Sequence, residues 1–109
     1  MAVGDAPVME AIVEINTASL ARTGLDPRSL MLVRLGALAA VDAPVSSYLL
    51  HVGPSVDAGL TAEDAEDVLV AVAPIVGTPR TASAAARIVA ATGLAIEIAK
   101  EDAESAQDA

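Results

Sequence analysis

His51 is the single histidine of the chain, and it follows Ser47 by four residues. Imidazole is the side-chain type that exchanges a proton near neutral pH without special tuning. Four residues apart on a helix, Ser47 and His51 share one face, so the pair has the elements of a base-assisted nucleophile. No acid stands nearby to orient the imidazole, and Ser47 lacks the Gly-x-Ser-x-Gly setting of a strained elbow. The plainer reading is a structural histidine satisfied by its neighbours. Arg34 interrupts the most apolar segment, residues 30–41. A guanidinium there must pair, reach the surface or hold an anion. An ion pair with a neighbouring helix or subunit is the simpler reading, and a carboxylate-bearing substrate is the functional one. Tyr48, the lone aromatic, reads as a packing residue or a substrate contact. Arg80, after Thr78-Pro79, reads as a solvated turn arginine or a further anion anchor. The acids between Asp57 and Asp67 lack the spacing and glycine of a calcium loop, and a helix N-terminus accounts for them better. The expected site is therefore His51 with Ser47 for catalysis and Arg34, Tyr48 and Arg80 for substrate, with no metal and no cofactor.

Those residues have little else to work with. The chain has 109 residues, a net charge of −9, no Cys, no Trp and no Phe. This length supports one domain. Phosphate binding needs clustered Lys and Arg, but the six basic residues are scattered and no aromatic platform exists for stacking bases. Nucleic acid is thus excluded as an expected partner, and anionic membranes are disfavoured on the same electrostatic ground. Without cysteine there is no disulfide, thiolate nucleophile or zinc-thiolate site. The first residues lack the basic start and apolar run of a secretion signal. The longest apolar run, residues 68–76, falls well short of the roughly 18 residues a spanning helix needs. A soluble cytoplasmic protein is expected. Hydrophobic residues reach 54%, but 25 of them are alanines. Such small side chains build a thin core, so apolar surface is expected to be shared with other copies in a homo-oligomer.

The elements that must position His51 and Arg34 read as helices, since alanine is the strongest helix former. A first helix is predicted over residues 7–22, with Pro7 in its first turn and Gly24 beyond its end. Asp26-Pro27 caps a second, running to about Val41, which is apolar nearly all round and therefore central. After Asp42-Ala43-Pro44 a third helix carries Ser47, Tyr48 and His51, with Gly53-Pro54 kinking or ending it and a continuation to Ala58. Thr61-Ala62-Glu63-Asp64 forms a capping box with aspartate in place of glutamate and opens a fourth helix that Pro74 bends near its end. Gly77-Thr78-Pro79-Arg80 is a turn. A fifth helix over 81–92 stops at Gly93. Residues 94–99 alternate like a strand but are read as a last, sixth helix. The single domain spans 1–100, and 101–109 is an acidic flexible tail.

From Leu25 to about Thr92 the order of these features resembles the carboxymuconolactone decarboxylase family, whose wider superfamily includes the AhpD-like alkylhydroperoxidases. The resemblance rests on several stretches of sequence. They are Asp26-Pro27-Arg28 before an apolar helix, the break at Asp42-Ala43-Pro44, the helix with His51, and Asp57-Ala58-Gly59-Leu60-Thr61-Ala62-Glu63-Asp64. The last is the helix ending in Gly77-Thr78-Pro79-Arg80. What it implies is an all-α, AhpD-like bundle of about six helices, assembled as a trimer or hexamer. The redox branch carries a Glu…Cys-x-x-Cys-x-x-x-His pattern. Counting back from His51, Ser47 and Pro44 occupy the two cysteine positions and Leu32 the glutamate. A thiol peroxidase needs an attacking thiolate and a resolving thiol, so that activity is excluded. The decarboxylase branch does without the cysteine pair and keeps the histidine. By that resemblance His51 is the general acid/base at the carbon that loses CO₂. Arg34 or Arg80 as carboxylate holders is an inference from charge and matches no family motif.

Two function classes follow. One is a cofactor-free lyase acting on a small acidic lactone or keto acid through His51. The other is a non-catalytic oligomeric assembly protein that keeps the scaffold. The surroundings of the His51 ring discriminate between them.

Overall fold

A computed structural model describes residues 2–108, with side chains placed from residue 6 to 106. Five helices make up the described chain: α1 (Ala2–Arg22), α2 (Pro27–Ala40), α3 (Val45–Asp57), α4 (Ala62–Val76) and α5 (Thr78–Asp108). The all-α reading holds, with five helices where about six were expected. Helices α2 to α5 form a bundle in which α3 and α4 lie on α5, and α2 packs against all three.

Local chemistry sets the starts. Asp26 accepts from the Ser29 amide at 2.8 Å and from the Ser29 hydroxyl at 2.8 Å, with Pro27 as the first helical residue of α2. The capping box of α4 is complete: Asp64 N–H donates to Thr61 Oγ1 at 3.2 Å and Thr61 N–H to Asp64 Oδ2 at 2.8 Å. Gly59 and Gly77 both adopt positive φ, 85° and 93°, which ends α3 and α4 at little steric cost.

The continuation of α3 past Pro54 towards Ala58 holds, with Pro54 inside the helix. Two expectations about where helices stop are corrected. The predicted turn at 77–80 shrinks to Gly77, because Thr78, Pro79 and Arg80 already form the first turn of α5, where a missing proline N–H costs nothing. Gly93 does not stop the helix either, so the separate fifth and sixth helices are one. Residues 101–108, expected as a flexible tail, continue that helix, while Ala109 lies outside the described residues. The merged stretch Thr78–Ala106 is long and apolar enough to cross a membrane by length and composition alone. Its first half, however, sits in the bundle. Ala84 and Ala91 are core residues there, and two of its arginines hold the end of α2.

The core is built from small side chains around one ring. Ala39, Ala43, Tyr48, Leu69, Ala84 and Ala91 are buried together, and Gly36 lets α4 approach so closely that a Cβ there would sit 3.2 Å from Val72. The α2–α3 corner is fastened to α5. Asp42 takes φ 54°, and Arg87 Nη1 donates to its carboxylate at 2.6 Å and to the Ala43 carbonyl at 2.9 Å. Arg80 donates to the Ala40 carbonyl at 2.9 Å, satisfying a C-terminal acceptor of α2.

At the other end of α2, Arg28 grips Asp64 with two bonds of 3.0 and 2.6 Å and also donates to the Gly59 carbonyl. The guanidinium, together with the Thr61 amide, holds the Asp64 carboxyl well below the usual carboxylate range. A carboxylate depressed in the folded state adds stability that is present above its unfolded pKa and lost as pH falls through the folded value. Acidification should therefore lower the melting temperature of the wild type more steeply than that of Arg28→Ala below about pH 4, where free aspartate begins to protonate. Parallel melting curves against pH for the two proteins would show that the pair contributes nothing.

Helix α1 stands apart. Among the described residues, no Cα of α1 comes within 8 Å of a Cα in another helix. It is held to the bundle through side chains, and those side chains meet at Arg34 and His51.

Candidate functional site

The ring of His51 projects from the middle of α3, half-buried. Its Nδ1 lies 2.8 Å from the Ser47 carbonyl oxygen, one turn back. A carbonyl only accepts, so Nδ1 carries a hydrogen in every protonation state that keeps this bond. The proton that comes and goes is then on Nε2. Sequence spacing placed Ser47 and His51 on one face, and they do meet, but through the Ser47 backbone and not its hydroxyl. Ser47 orients the imidazole in the way second-partner carbonyls commonly do.

Arg34 reaches from α2 across to α1. Its Nη1 donates to Asn16 Oδ1 at 2.7 Å and its Nη2 to the Ser19 hydroxyl at 3.1 Å. These partners are neutral. Among the described residues no carboxylate lies within 4 Å of the Arg34 guanidinium, whereas Arg28, Arg87 and Lys100 each sit against one. Arg34 as a residue is half-buried, while its two partners, Asn16 and Ser19, are exposed.

Between α1, α2 and α3 lies an open cleft of about 320 Å³, and it brings His51 and Arg34 together. Ile12, Ile15, Ala37 and Leu38 supply apolar walls, and Asn16 is the further polar lining group. An apolar cleft with a few convergent polar groups is the usual form of a small-molecule site. Asn16 escaped the reading of the sequence. Its signal was present: a lone amide three residues before Ser19 within an apolar helix gives two polar tips on one face.

The remaining predicted residues are elsewhere. Tyr48 is 3% exposed, in the core, and does not line the His51 cleft. Burial pushes its phenol above the ordinary range, and the hydroxyl has no hydrogen-bond partner. It is a packing residue. Arg80 is committed to the Ala40 carbonyl and does not line the cleft. A second hollow of about 410 Å³, between the ends of α1 and α3, is lined by Leu20, Leu25, Met31 and Asp57 among others and carries no group able to exchange a proton near neutral pH. No group of three metal-ligating side chains occurs among the described residues.

No curated protein and no solved structure matches the chain. The model of the carboxymuconolactone decarboxylase family matches residues 6–91, which takes in α1 from Ala6, all of α2 to α4, and α5 as far as Ala91. With all-helical architecture, a histidine-bearing α3 and a match over most of its length, the chain belongs to the carboxymuconolactone decarboxylase family.

Proposed function

We propose that the cleft receives a small carboxylate-bearing lactone or keto acid and that the protein is a cofactor-independent carboxy-lyase. The observation that carries this reading is the Arg34 guanidinium, charged and bonded only to neutral groups, on the wall it shares with His51. Its fork matches a carboxylate in a way a lysine would not. That carboxylate stays on the substrate. A second one leaves as CO₂, its bonding electrons remain on carbon, and the carbon takes a proton from Nε2 of the imidazolium. The net change is R–COO⁻ + H⁺ → R–H + CO₂. Imidazole regains its proton from water through the open mouth of the cleft.

Binding tests the anchor separately from the chemistry. Titration of a panel of γ-lactone and β-keto acids that each carry two carboxylates should give a ligand whose affinity falls about 10- to 100-fold in Arg34→Met, the worth of a charge-assisted hydrogen bond. Arg34→Lys should recover part of that loss. If no acid of the panel binds the wild type, or Arg34→Met binds equally well, the anchor role is wrong.

A second reading is a scaffold protein without catalysis. It is favoured by the absence, among the described residues, of a carboxylate bonded to His51. Under that reading neither binding nor CO₂ release is found with any acid of the panel.

A further inference from the structure

We infer that the side-chain amide of Asn16 holds the ketone oxygen of the substrate while CO₂ leaves, a role that rests on the lyase reading above and narrows its substrate to a β-keto diacid. The orientation of the amide follows from its partner. A guanidinium has N–H donors and no acceptor. Arg34 Nη1 lies 2.7 Å from Asn16 Oδ1, and only the oxygen end of the amide can accept from it. The two hydrogens on Nδ2 are thereby turned away from Arg34, and they have no hydrogen-bond partner among the described residues. Asn16 is exposed and lines the His51 cleft, so these donors are open to a molecule that enters it. Arg34 also sharpens them. A cation bonded to Oδ1 draws electron density through the planar amide and makes the Nδ2 hydrogens stronger donors.

The polar groups of the cleft divide the work. Arg34, His51 and Asn16 are its polar lining residues, against walls such as Ile12 and Ile15. Arg34 takes the carboxylate that stays, and His51 Nε2 delivers the proton. His51 Nδ1 is committed to the Ser47 carbonyl, so Asn16 is the donor left for a ketone. In a β-keto acid the bond between the carboxyl carbon and the α-carbon breaks, and its electron pair passes into the ketone as an enolate. Negative charge then gathers on the ketone oxygen. The α-carbon takes the proton from Nε2 and the ketone re-forms, which balances as R–CO–CH₂–COO⁻ + H⁺ → R–CO–CH₃ + CO₂. Asn16 moves no proton. It is a donor already in place where charge develops, the arrangement that lowers a barrier most directly.

Asn16 is the only asparagine of the chain and Gln107 the only glutamine, so two side-chain amide pairs stand in the proton–nitrogen NMR spectrum. Either Asn16→Leu or Gln107→Glu assigns them. The probes are ketopimelate, whose ketone lies too far from either carboxylate to lose CO₂, and pimelate, the same diacid without the ketone. Ketopimelate should move the Asn16 amide protons downfield and pimelate should not. Asn16→Leu should bind ketopimelate about 3- to 10-fold more weakly, the worth of a neutral hydrogen bond, and pimelate as wild type does. With a β-keto diacid that turns over, kcat of Asn16→Leu should fall about 10- to 100-fold, since the oxygen is charged in the transition state. Equal movement of the Asn16 pair with both probes overturns the inference, as does an Asn16→Leu protein with wild-type kcat. A loss of pimelate affinity as large as that in Arg34→Met makes Asn16 a prop for the arginine and overturns it too. If neither probe binds a wild type that binds another acid of the panel, the ketone role falls alone. If no acid binds at all, it falls together with the lyase reading.

Discussion

His51→Ala releases CO₂ from the responsive acid 10²- to 10⁴-fold more slowly than wild type, the usual worth of a positioned proton donor. Ser47→Ala keeps most of the activity, because the imidazole is oriented by the Ser47 carbonyl, which the substitution leaves in place. The pair of variants separates two mechanisms. If the Ser47 hydroxyl were a nucleophile, both substitutions would abolish turnover together. Binding of the acid should change little in His51→Ala, since Arg34 provides the anchor, so the loss should fall on kcat and not on KM. Equal rates for wild type and His51→Ala would remove the imidazole from the chemistry altogether.

The second large effect is on stability. Tyr48→Ala takes the only aromatic ring out of a core otherwise made of alanine, leucine, valine and isoleucine side chains. The expected cost is about 3–5 kcal/mol, a large share of the roughly 5–15 kcal/mol that holds a domain together. At about 4–8 °C per kcal/mol, the melting temperature should fall by roughly 15 °C or more. Tyr48→Phe should move it the other way. It keeps the ring and removes a buried hydroxyl without a partner, a group that costs about 1 kcal/mol or more where it stands. Thermal melts followed by far-ultraviolet circular dichroism measure both. A Tyr48→Phe protein that melts lower than wild type would mean the hydroxyl has a partner in solution.

The starts of α2 and α4 were legible in the sequence because each has its own local chemistry, whereas α1 begins at Ala2 and α5 at Thr78, before the expected residues 7 and 81. Asp26-Pro27 and the Thr61–Asp64 box capped α2 and α4 as expected. Helix ends were less legible. Gly77 and Gly93 are the same residue type beside similar apolar neighbours. Gly77 takes φ 93°, whereas Gly93 is carried through α5 by the surrounding helix formers at a cost of about 1 kcal/mol. The local difference is Pro79, two residues past Gly77 and without a counterpart after Gly93; glycine alone was taken as a stop, so one helix read as two. Pro54 left a kink and an end equally open in the sequence, and α3 runs through it, since a lost hydrogen bond is a penalty and not a prohibition. At the site, His51 and Arg34 stood out because each is chemically alone in an apolar stretch. Asn16 left only the faint signal of its spacing to Ser19, and Ile12 and Ile15 left none, because which face of the bundle α1 covers is a tertiary fact. Tyr48 looked equally eligible in sequence, and only burial separates a core ring from a cleft ring.

With no tryptophan or phenylalanine in the chain, the absorbance near 280 nm and the ultraviolet emission come from one chromophore at one address, the inner side of α3. Every spectroscopic change in that region reports on whether α3 is seated against α5, free of background from any other ring. The protein thus carries an intrinsic single-site probe of its own core and needs no label for its unfolding to be followed.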